Sequence, residues 1–448
     1  METETSNLKS ETIPNKVLKN TRICLYLSGI ITEQLSLVVP FFARQMENTS
    51  ETCDAGCISL LLSIFAVVRL IASVYTGLYI CKLGVRKSIV FNLGLNSIAL
   101  LSIGLVPRAA QYLGNGNLMI YSFGGLCFGC LGWSFGGYQT ALHSAMSKTF
   151  QSTLSTEMGN VQLIVGIATV VAPLIGGLIL EHIVDDYLLI GVLTSVLAGI
   201  CWVFTFRLMP EVESCEASKF SEGAKLLKLP SIAIPFISIM LSYGVWFSLE
   251  ALTTGHISQF IDKNDALKAG FPWTLAGLSY GLTAKFWGSV SNKHPRRTML
   301  ISVFLISVNL IMFDDRWFVN LAVEFGWSGE SPTASINHLD IKSLRYYYFC
   351  AMIFLMGSFL TGPMVSTYQE VNDVVMKDLK YPDNLATMGL ISSCWNFGYA
   401  LSNVIGPSVF GAIGSYFGFY GAMHLHSGCL VVLVVSSLFF YNKNRRLA

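Results

Sequence analysis

Long apolar runs dominate this 448-residue chain and recur about twelve times along it. A helix rises 1.5 Å per residue, so about 20 apolar residues cross the ~30 Å hydrocarbon core of a bilayer. Only 12% of the residues are charged, about half the share in a soluble domain. Together these features predict an all-α membrane protein with twelve transmembrane helices. We place the spans at 22–42, 57–80, 88–107, 117–142, 157–181, 187–208, 231–260, 271–290, 298–319, 345–369, 387–413 and 418–441.

A polar stretch after the sixth run divides the spans six and six. The predicted parts are an N-terminal tail (1–21), a six-helix bundle (22–209), a linker (210–230), a second six-helix bundle (231–441) and a C-terminal tail (442–448). Twenty Lys and Arg residues fall on the side of the termini and seven on the other side. Short basic loops are retained in the cytoplasm, so we expect both termini there.

The first outer loop carries two predicted modifications. Asn48 begins the motif Asn48-Thr49-Ser50, an acceptor for N-glycosylation if the loop faces a lumen or the exterior. Cys53 and Cys57 flank a polar turn in the same loop, and an oxidising compartment could pair them. Their spacing alone leaves both the paired and the free states open.

Several function classes are excluded by what the sequence lacks. The formal net charge is +2 and there is no basic stripe, which argues against a nucleic-acid partner. No phosphate-binding loop occurs, so transport would draw on an ion gradient or on the substrate's own gradient. We see no nucleophile–base pair and no metal-ligand spacing, and therefore expect no enzyme, metal or cofactor. The expected partners are a small-molecule substrate, protons and the lipid bilayer, and we expect a monomer.

A short motif is repeated after the second and eighth spans, 211 residues apart. Each copy begins with a glycine that permits close helix packing and continues into a basic turn between adjacent spans. Positive-inside anchoring would explain the charges of this motif but not its glycine. The motif residues are Gly77, Arg86 and Lys87 in the first copy and Gly288, Lys293, Arg296 and Arg297 in the second.

A second repeat joins the fifth and eleventh spans. Proline next to small residues bends a helix and allows a tight crossing. The residues are Pro173, Gly176 and Gly177 in one half and Gly406 and Pro407 in the other. With the loop motif, this order of elements resembles the major facilitator superfamily over residues 22–441.

Within that superfamily the sequence resembles the drug and amine:proton antiporter branch, and most of all the vesicular polyamine and monoamine transporters. The resemblance is carried by 247–252, 367–370, 385–390 and 405–407. It implies transport of an organic cation in exchange for protons. This chain departs from the pattern at Ala251 after the acid, at Ala172 before a proline, and at Cys81 and Asn292 in the loop motif. It also has no arginine in the fourth span.

Charged residues inside spans need a partner or a water-filled cavity, because a charge at the bilayer centre costs about 2.5–3.5 kcal/mol. Glu250 in the seventh span lies within one or two helical turns of Tyr243, Trp246 and Phe247. A carboxylate beside aromatic rings can bind an ammonium group. The alternative is an interhelical hydrogen bond with the rings merely packing.

Two further charges, Glu33 and Arg69, lie in the first and second spans. They could neutralise each other, or Glu33 could bind substrate or protons directly. An unpaired Arg69 in the cavity would instead favour an anion. Lys285 in the eighth span is expected to extend toward the basic loop.

Polar and aromatic side chains also share one stripe of the eleventh span. Trp395, Asn396 and Tyr399 line the predicted cavity, unless they only pack in the core. Glu370 is expected at the cytoplasmic mouth in a gating or capping role. His143 and His256 lie near predicted span ends, where we interpret them as structural groups.

We therefore predict a secondary transporter that works by alternating access, with its site between the two bundles. The first hypothesis is exchange of a polyamine or monoamine for protons in a vesicular, endomembrane or plasma membrane. Two alternatives remain. One is uniport or symport of an anion or neutral solute, and the other is a membrane partner or regulator that does not transport.

Overall fold

The computed structural model describes residues 14–32, 34, 42, 55–112, 119–182, 187–211, 220–261, 266–324 and 341–447. These ranges are almost entirely helical. Eight segments within them are long and apolar enough to cross a membrane, and one of these, Leu385–Asn442, contains the last two predicted spans. The described residues form twelve helices of 18 residues or more, and the fold is the all-α membrane fold that we predicted.

The first half contains six long helices. Small and polar residues on many of them lie where neighbouring helices meet. The α2–α3 connection is a single residue, Gly84, whose φ of 76° favours glycine. The helices are α1 (Asn15–Thr32), α2 (Ala55–Leu83), α3 (Val85–Tyr112), α4 (Gly125–Thr149), α5 (Leu154–His182) and α6 (Tyr187–Leu208).

The second half repeats this arrangement and adds two short helices. One of these, α7, lies within the predicted linker, and the other, α11, follows the ninth span. The helices are α7 (Phe220–Leu227), α8 (Pro230–Ile257), α9 (Ala266–Lys293), α10 (Pro295–Met312), α11 (Arg316–Glu324), α12 (Ile341–Asp373), α13 (Leu385–Ile405) and α14 (Gly411–Leu447).

The predicted ninth span, 298–319, is wrong at its end. Helix α10 stops at Met312, and α11 begins separately at Arg316. Asp315, between the two helices, is buried and accepts hydrogen bonds from Arg345 Nε at 2.7 Å and from Tyr420 Oη at 2.7 Å. These long-range bonds fix the chain break, and the apolar pattern of the sequence does not encode them.

The last two spans meet through irregular backbone. A π-helical turn, Gly406–Phe410, begins at the predicted Gly406-Pro407 motif. Helix α14 is kinked at Gly418, whose φ is 72°. The backbone is not helical at this glycine, so two helices meet there, and the second begins next to the predicted start of the twelfth span. The glycine supplies a bend that other residues rarely adopt.

The two halves contact each other most extensively along two helix pairs, α2 with α13 and α5 with α9, and also where α4 meets α13. Small residues bring the backbones together in both pairs. A Cβ atom added at Gly77 would lie 2.6 Å from the Gly389 carbonyl oxygen, and one added at Gly288 would lie 2.7 Å from the Ser155 carbonyl oxygen. Such close crossings are typical of membrane helices.

One end of the molecule carries the basic loops around Arg86, Lys148 and Arg296, and we call it the basic end. Polar contacts join the two halves there. Lys148 Nζ lies 2.7 Å from Asp383 Oδ1, and Ser147 Oγ donates to Asn372 Oδ1 at 2.8 Å. Ser155 donates to Gln369 Oε1 at 3.1 Å. These contacts seal the basic end.

Candidate functional site

A cavity lies between the two halves, lined by α1, α4 and α5 on one side and by α8, α9, α12 and α13 on the other. It contains about 930 Å³ of space free of protein atoms, part of which is open to solvent. Met146, Met158 and Met364 lie on its side toward the basic end, where flexible apolar side chains fill the gap between the halves. Thr169 and Glu250 line the opposite side, which we call the mouth.

Aromatic side chains of the second half form one wall of this cavity. Tyr243 and Tyr399 pack edge to face with their ring centroids 4.8 Å apart, and Trp395 stacks on Tyr399 at 6.0 Å. The Tyr243 and Tyr280 hydroxyls lie 2.8 Å apart, and Tyr280 donates to Gln162 Oε1 of the first half at 2.7 Å. These hydrogen bonds fix the rings, so the wall is pre-organised.

Glu250 lines the cavity at its mouth and is exposed. It lies seven residues beyond Tyr243 on α8, which places it about 10 Å further from the basic end. Trp246 lines the same wall and packs edge to face on Trp273, with centroids 5.2 Å apart. The predicted acid and two of its aromatic neighbours therefore share the cavity.

Phe247 takes a different position from the one that we predicted. A Cβ atom at Gly406 would lie 3.0 Å from the Phe247 Cβ atom, so Phe247 packs at the α8–α13 crossing rather than in the cavity lining. Glu33 lies outside the described residues. Helical spacing alone did not distinguish the cavity face of α8 from its packing face.

Arg69 is buried behind the cavity wall, with 4% of its surface exposed. Its Nη2 donates to Gln139 Oε1 at 2.7 Å, and its Cζ lies 4.6 Å from the centre of the Tyr399 ring. Gln139 and Tyr399 both line the cavity. Among the described residues, no carboxylate lies within 4 Å of the guanidinium. Besides the Gln139 amide, its neighbours there are three aromatic rings, those of Tyr399, Phe135 and Phe65.

His143 lines the cavity, which the sequence did not predict. We had placed it at the end of a span, but α4 continues to Thr149 and buries it about 1.5 turns from the helix end. Its Nδ1 lies 3.1 Å from Asn396 Nδ2. Asn396 contacts His143 and is not itself among the lining residues. Trp395 does line the cavity, and its Nε1 donates to Thr367 Oγ1 at 2.9 Å.

Three other lining residues were also missed. Gln139, Gln162 and Tyr280 lie in apolar runs, and two of them are amides that would be costly to bury without a partner. A glutamine in an apolar run is therefore a sequence signal for a polar contact inside the membrane. We considered mainly charged residues and so did not predict these three.

The remaining predicted residues lie away from the cavity. Glu370 is buried and accepts from Arg296 Nε at 2.7 Å near the basic end, where we had placed it. Lys285, Lys87, Lys293 and Arg297 are exposed. Gly176 is buried in α5, and Pro407 is exposed in the π-helical turn. The structure does not describe the surroundings of Pro173 and Gly177. Asn48 and Cys53 lie outside the described residues.

The Major Facilitator Superfamily pattern matches residues 23–365, which is more than half of the chain. The chain belongs to this superfamily. Superfamily members with curated descriptions include the rat "MFS-type transporter SLC18B1", which is 24% identical over 419 residues, covering 91% of this chain and 82% of its own length. The human protein of the same name is 21% identical, with 92% of this chain and 84% of that protein aligned.

Solved structures agree on the superfamily fold. A variant of the Escherichia coli fucose:proton symporter FucP superposes with a TM-score of 0.66 at 13% identity, covering 95% of this chain and 99% of that chain. The human organic anion transporter MFSD10 superposes with a TM-score of 0.61 at 14% identity, with 95% and 100% covered. This major facilitator protein is therefore an integral multi-pass transporter of small molecules and not an enzyme.

Proposed function

We propose that this transporter exchanges an organic cation for protons by alternating access, with Glu250 as the group that binds either one. The supporting observation is the position of Glu250 in the lining of the inter-half cavity, on the same wall as Tyr243, Trp246 and Tyr399. An ammonium group gains both charge pairing and cation–π attraction of about 0.5–2 kcal/mol in such a place. When the carboxylate binds a proton, it loses the negative charge that attracts the cation. Binding of the proton and binding of the cation therefore exclude each other, which couples their transport.

Alternating access would use the contacts at the basic end. In the described state these contacts close the cavity from that side, so the site is reached through the mouth. We infer that the basic end faces the cytoplasm, because basic loops are retained there. Transport then requires the Lys148–Asp383 and Ser155–Gln369 contacts to separate while the mouth closes. Both pairs join the two halves and are polar, so water can replace them.

The experiment is uptake of radiolabelled serotonin or spermidine into proteoliposomes with an acidic interior. We expect uptake that depends on the pH gradient and falls at least about 10-fold in Glu250→Gln. Glu211→Gln is the matched control, because Glu211 is an exposed acid whose carboxylate lies 3.7 Å from Arg86 on the surface. Uptake of neither amine above the Glu250→Gln level would contradict the proposal.

A second candidate is transport of an anion, and buried Arg69 favours it. A buried guanidinium whose side-chain neighbours among the described residues are an amide and aromatic rings would be stabilised by a bound anion. Displacement of a bound probe by chloride or a carboxylate, lost in Arg69→Gln, would support this candidate. Displacement that persists in Arg69→Gln would exclude Arg69 as the anion site.

A further inference from the structure

The cavity presents opposite chemistry at its two ends. Glu250 at the mouth is the acid of the lining. The part that lies deeper, toward the basic end, is lined by Gln139, Tyr399 and His143, with Arg69 directly behind the first two. Because Tyr243 and Tyr399 lie at the same level and Glu250 lies two helical turns beyond Tyr243, the two ends are separated by about 10 Å or more.

The deep end presents hydrogen-bond donors. Arg69 donates to Gln139 Oε1, so the Gln139 amide nitrogen faces away from the guanidinium and lies 3.5 Å from Thr32 Oγ1, another lining group. That nitrogen has two N–H groups, and Thr32 takes at most one. Asn396 Nδ2 lies 3.1 Å from His143 Nδ1, and in the tautomer in which Nδ1 accepts this bond the proton of the ring is on Nε2 and can be donated. Both residues therefore suit an acceptor.

The charge of Arg69 reinforces this preference. Its guanidinium lies 4.6 Å from the Tyr399 ring centre. A second cation in the cavity beside Tyr399 would lie within about 10 Å of the guanidinium. At an effective dielectric constant of about 20, the repulsion weakens its binding by about 10-fold. A carboxylate in the same place would be attracted by a similar factor.

We propose that the cavity takes an elongated molecule with a single ammonium group at the Glu250 end and a carboxylate at the Gln139 end, and that it discriminates against diamines and polyamines. The proposal rests on the proposed function for the role of Glu250. It adds a second recognition group at the far end of the substrate. Glu250 binds the ammonium, Gln139 and His143 donate to the carboxylate, and Arg69 orients Gln139 and supplies the positive field.

The test uses three eight-carbon compounds that differ only at one end: aminooctanoate, aminooctanol and diaminooctane. All three share a terminal ammonium at one end, while the other end is a carboxylate, a hydroxyl or a second ammonium, and their extended length is comparable with the separation of the two ends of the cavity. Affinities are measured by thermal stabilisation of the detergent-solubilised protein. We expect aminooctanoate to bind most tightly, aminooctanol less tightly, and diaminooctane at least about 10-fold more weakly than aminooctanoate.

Variants assign the effect to its residues. Arg69→Gln should bring the three affinities together, and Arg69→Lys, which keeps the charge, should retain their order. Glu250→Gln should weaken all three about equally. Lys285→Gln is the matched control, because Lys285 is an exposed cation on α9 and its loss should change nothing. Unliganded melting of each variant shows whether it folds.

Two results would overturn the inference. One is diaminooctane binding to the unmodified protein as tightly as aminooctanoate. The other is no binding by any of the three in a preparation that still takes up serotonin, which would leave the proposed function intact. If Glu250→Gln took up serotonin as well as the unmodified protein does, the proposed function itself would be contradicted.

Discussion

The glycines of the two loop-motif copies make equivalent contacts, whereas the basic residues of the two copies make different ones. Gly77 lies where α2 crosses α13, and Gly288 lies where α9 crosses α5. Each crossing joins one half of the molecule to the other. The glycines are thus equivalent parts of a pseudo-symmetric interface, and in both copies their role is close backbone contact.

The basic residues of the two copies differ. Arg86 donates to the Phe206 carbonyl oxygen at 2.5 Å and lies 3.7 Å from Glu211, whose side chain is 74% exposed. Arg296 donates to Glu370, whose side chain is only 4% exposed, and its Cζ lies 4.1 Å from the Tyr441 ring centre. The same sequence motif therefore supports a surface contact in one half and a buried ion pair in the other.

Cys81 and Asn292, the two positions at which the chain departs from the usual loop motif, also differ in their contacts. Asn292 in the second copy donates to the Ser152 carbonyl oxygen at 2.9 Å, so it bridges α9 and the turn before α5. Cys81 in the first copy is buried. The two copies therefore share the packing of the interface but differ in its polar contacts.

The largest expected effect is from filling the two glycine crossings. In Gly77→Val and Gly288→Val the new side chain would overlap a backbone carbonyl of the partner helix, at 2.6 and 2.7 Å from the Cβ atom. The basic end then cannot close, and we expect at least about a 10-fold loss of uptake with a destabilisation of about 1–3 kcal/mol or more. Proteoliposome uptake and thermal unfolding in detergent measure both.

Gly428→Val is the control for valine in a membrane helix, since a Cβ atom there would meet no other atom within 4 Å. It should retain uptake. If Gly77→Val and Gly288→Val differ widely, with one of them active, the two crossings are not equivalent and the comparison fails.

A smaller effect is expected from the ion pair of the second copy. Arg296→Gln leaves the Glu370 carboxylate buried without its cation, and we expect a loss of about 1–3 kcal/mol, reduced from that of a fully buried pair because Arg296 is partly exposed. The double variant with Glu370→Gln should be more stable than Arg296→Gln alone. Thermal unfolding of all three variants measures this. A double variant less stable than the single one would contradict the buried-charge explanation.

The fold was predictable from the sequence because the bilayer sets one length for every span. The position of Glu250 in the cavity lining was predictable for a related reason. An acid in an apolar run must be accommodated by a partner or by water. Its aromatic neighbours Tyr243 and Trp246 followed from helical spacing. These inferences use only local sequence and the properties of the membrane.

What the sequence did not predict depends on how distant helices cross. His143 was placed at a span end because the apolar pattern weakens before α4 stops at Thr149. Tyr280 joins the site only because α9 packs against α5, which brings its hydroxyl to Gln162. Phe247 shares a helix with Glu250 but faces the α13 crossing. Such contacts are long-range, and a single sequence contains no direct signal for them.

The smallest effect is expected for the first copy, and it is the sharpest test of the asymmetry. Arg86→Gln removes one contact to a backbone carbonyl and a pair with an exposed acid, so we expect less than about 1 kcal/mol. The difference from the unmodified protein should shrink further in high salt, because exposed charges are screened. Melting curves of Arg86→Gln and Arg296→Gln at low and high salt give the comparison directly. Equal destabilisation of the two variants would show that the motif charges, like its glycines, are equivalent in both halves.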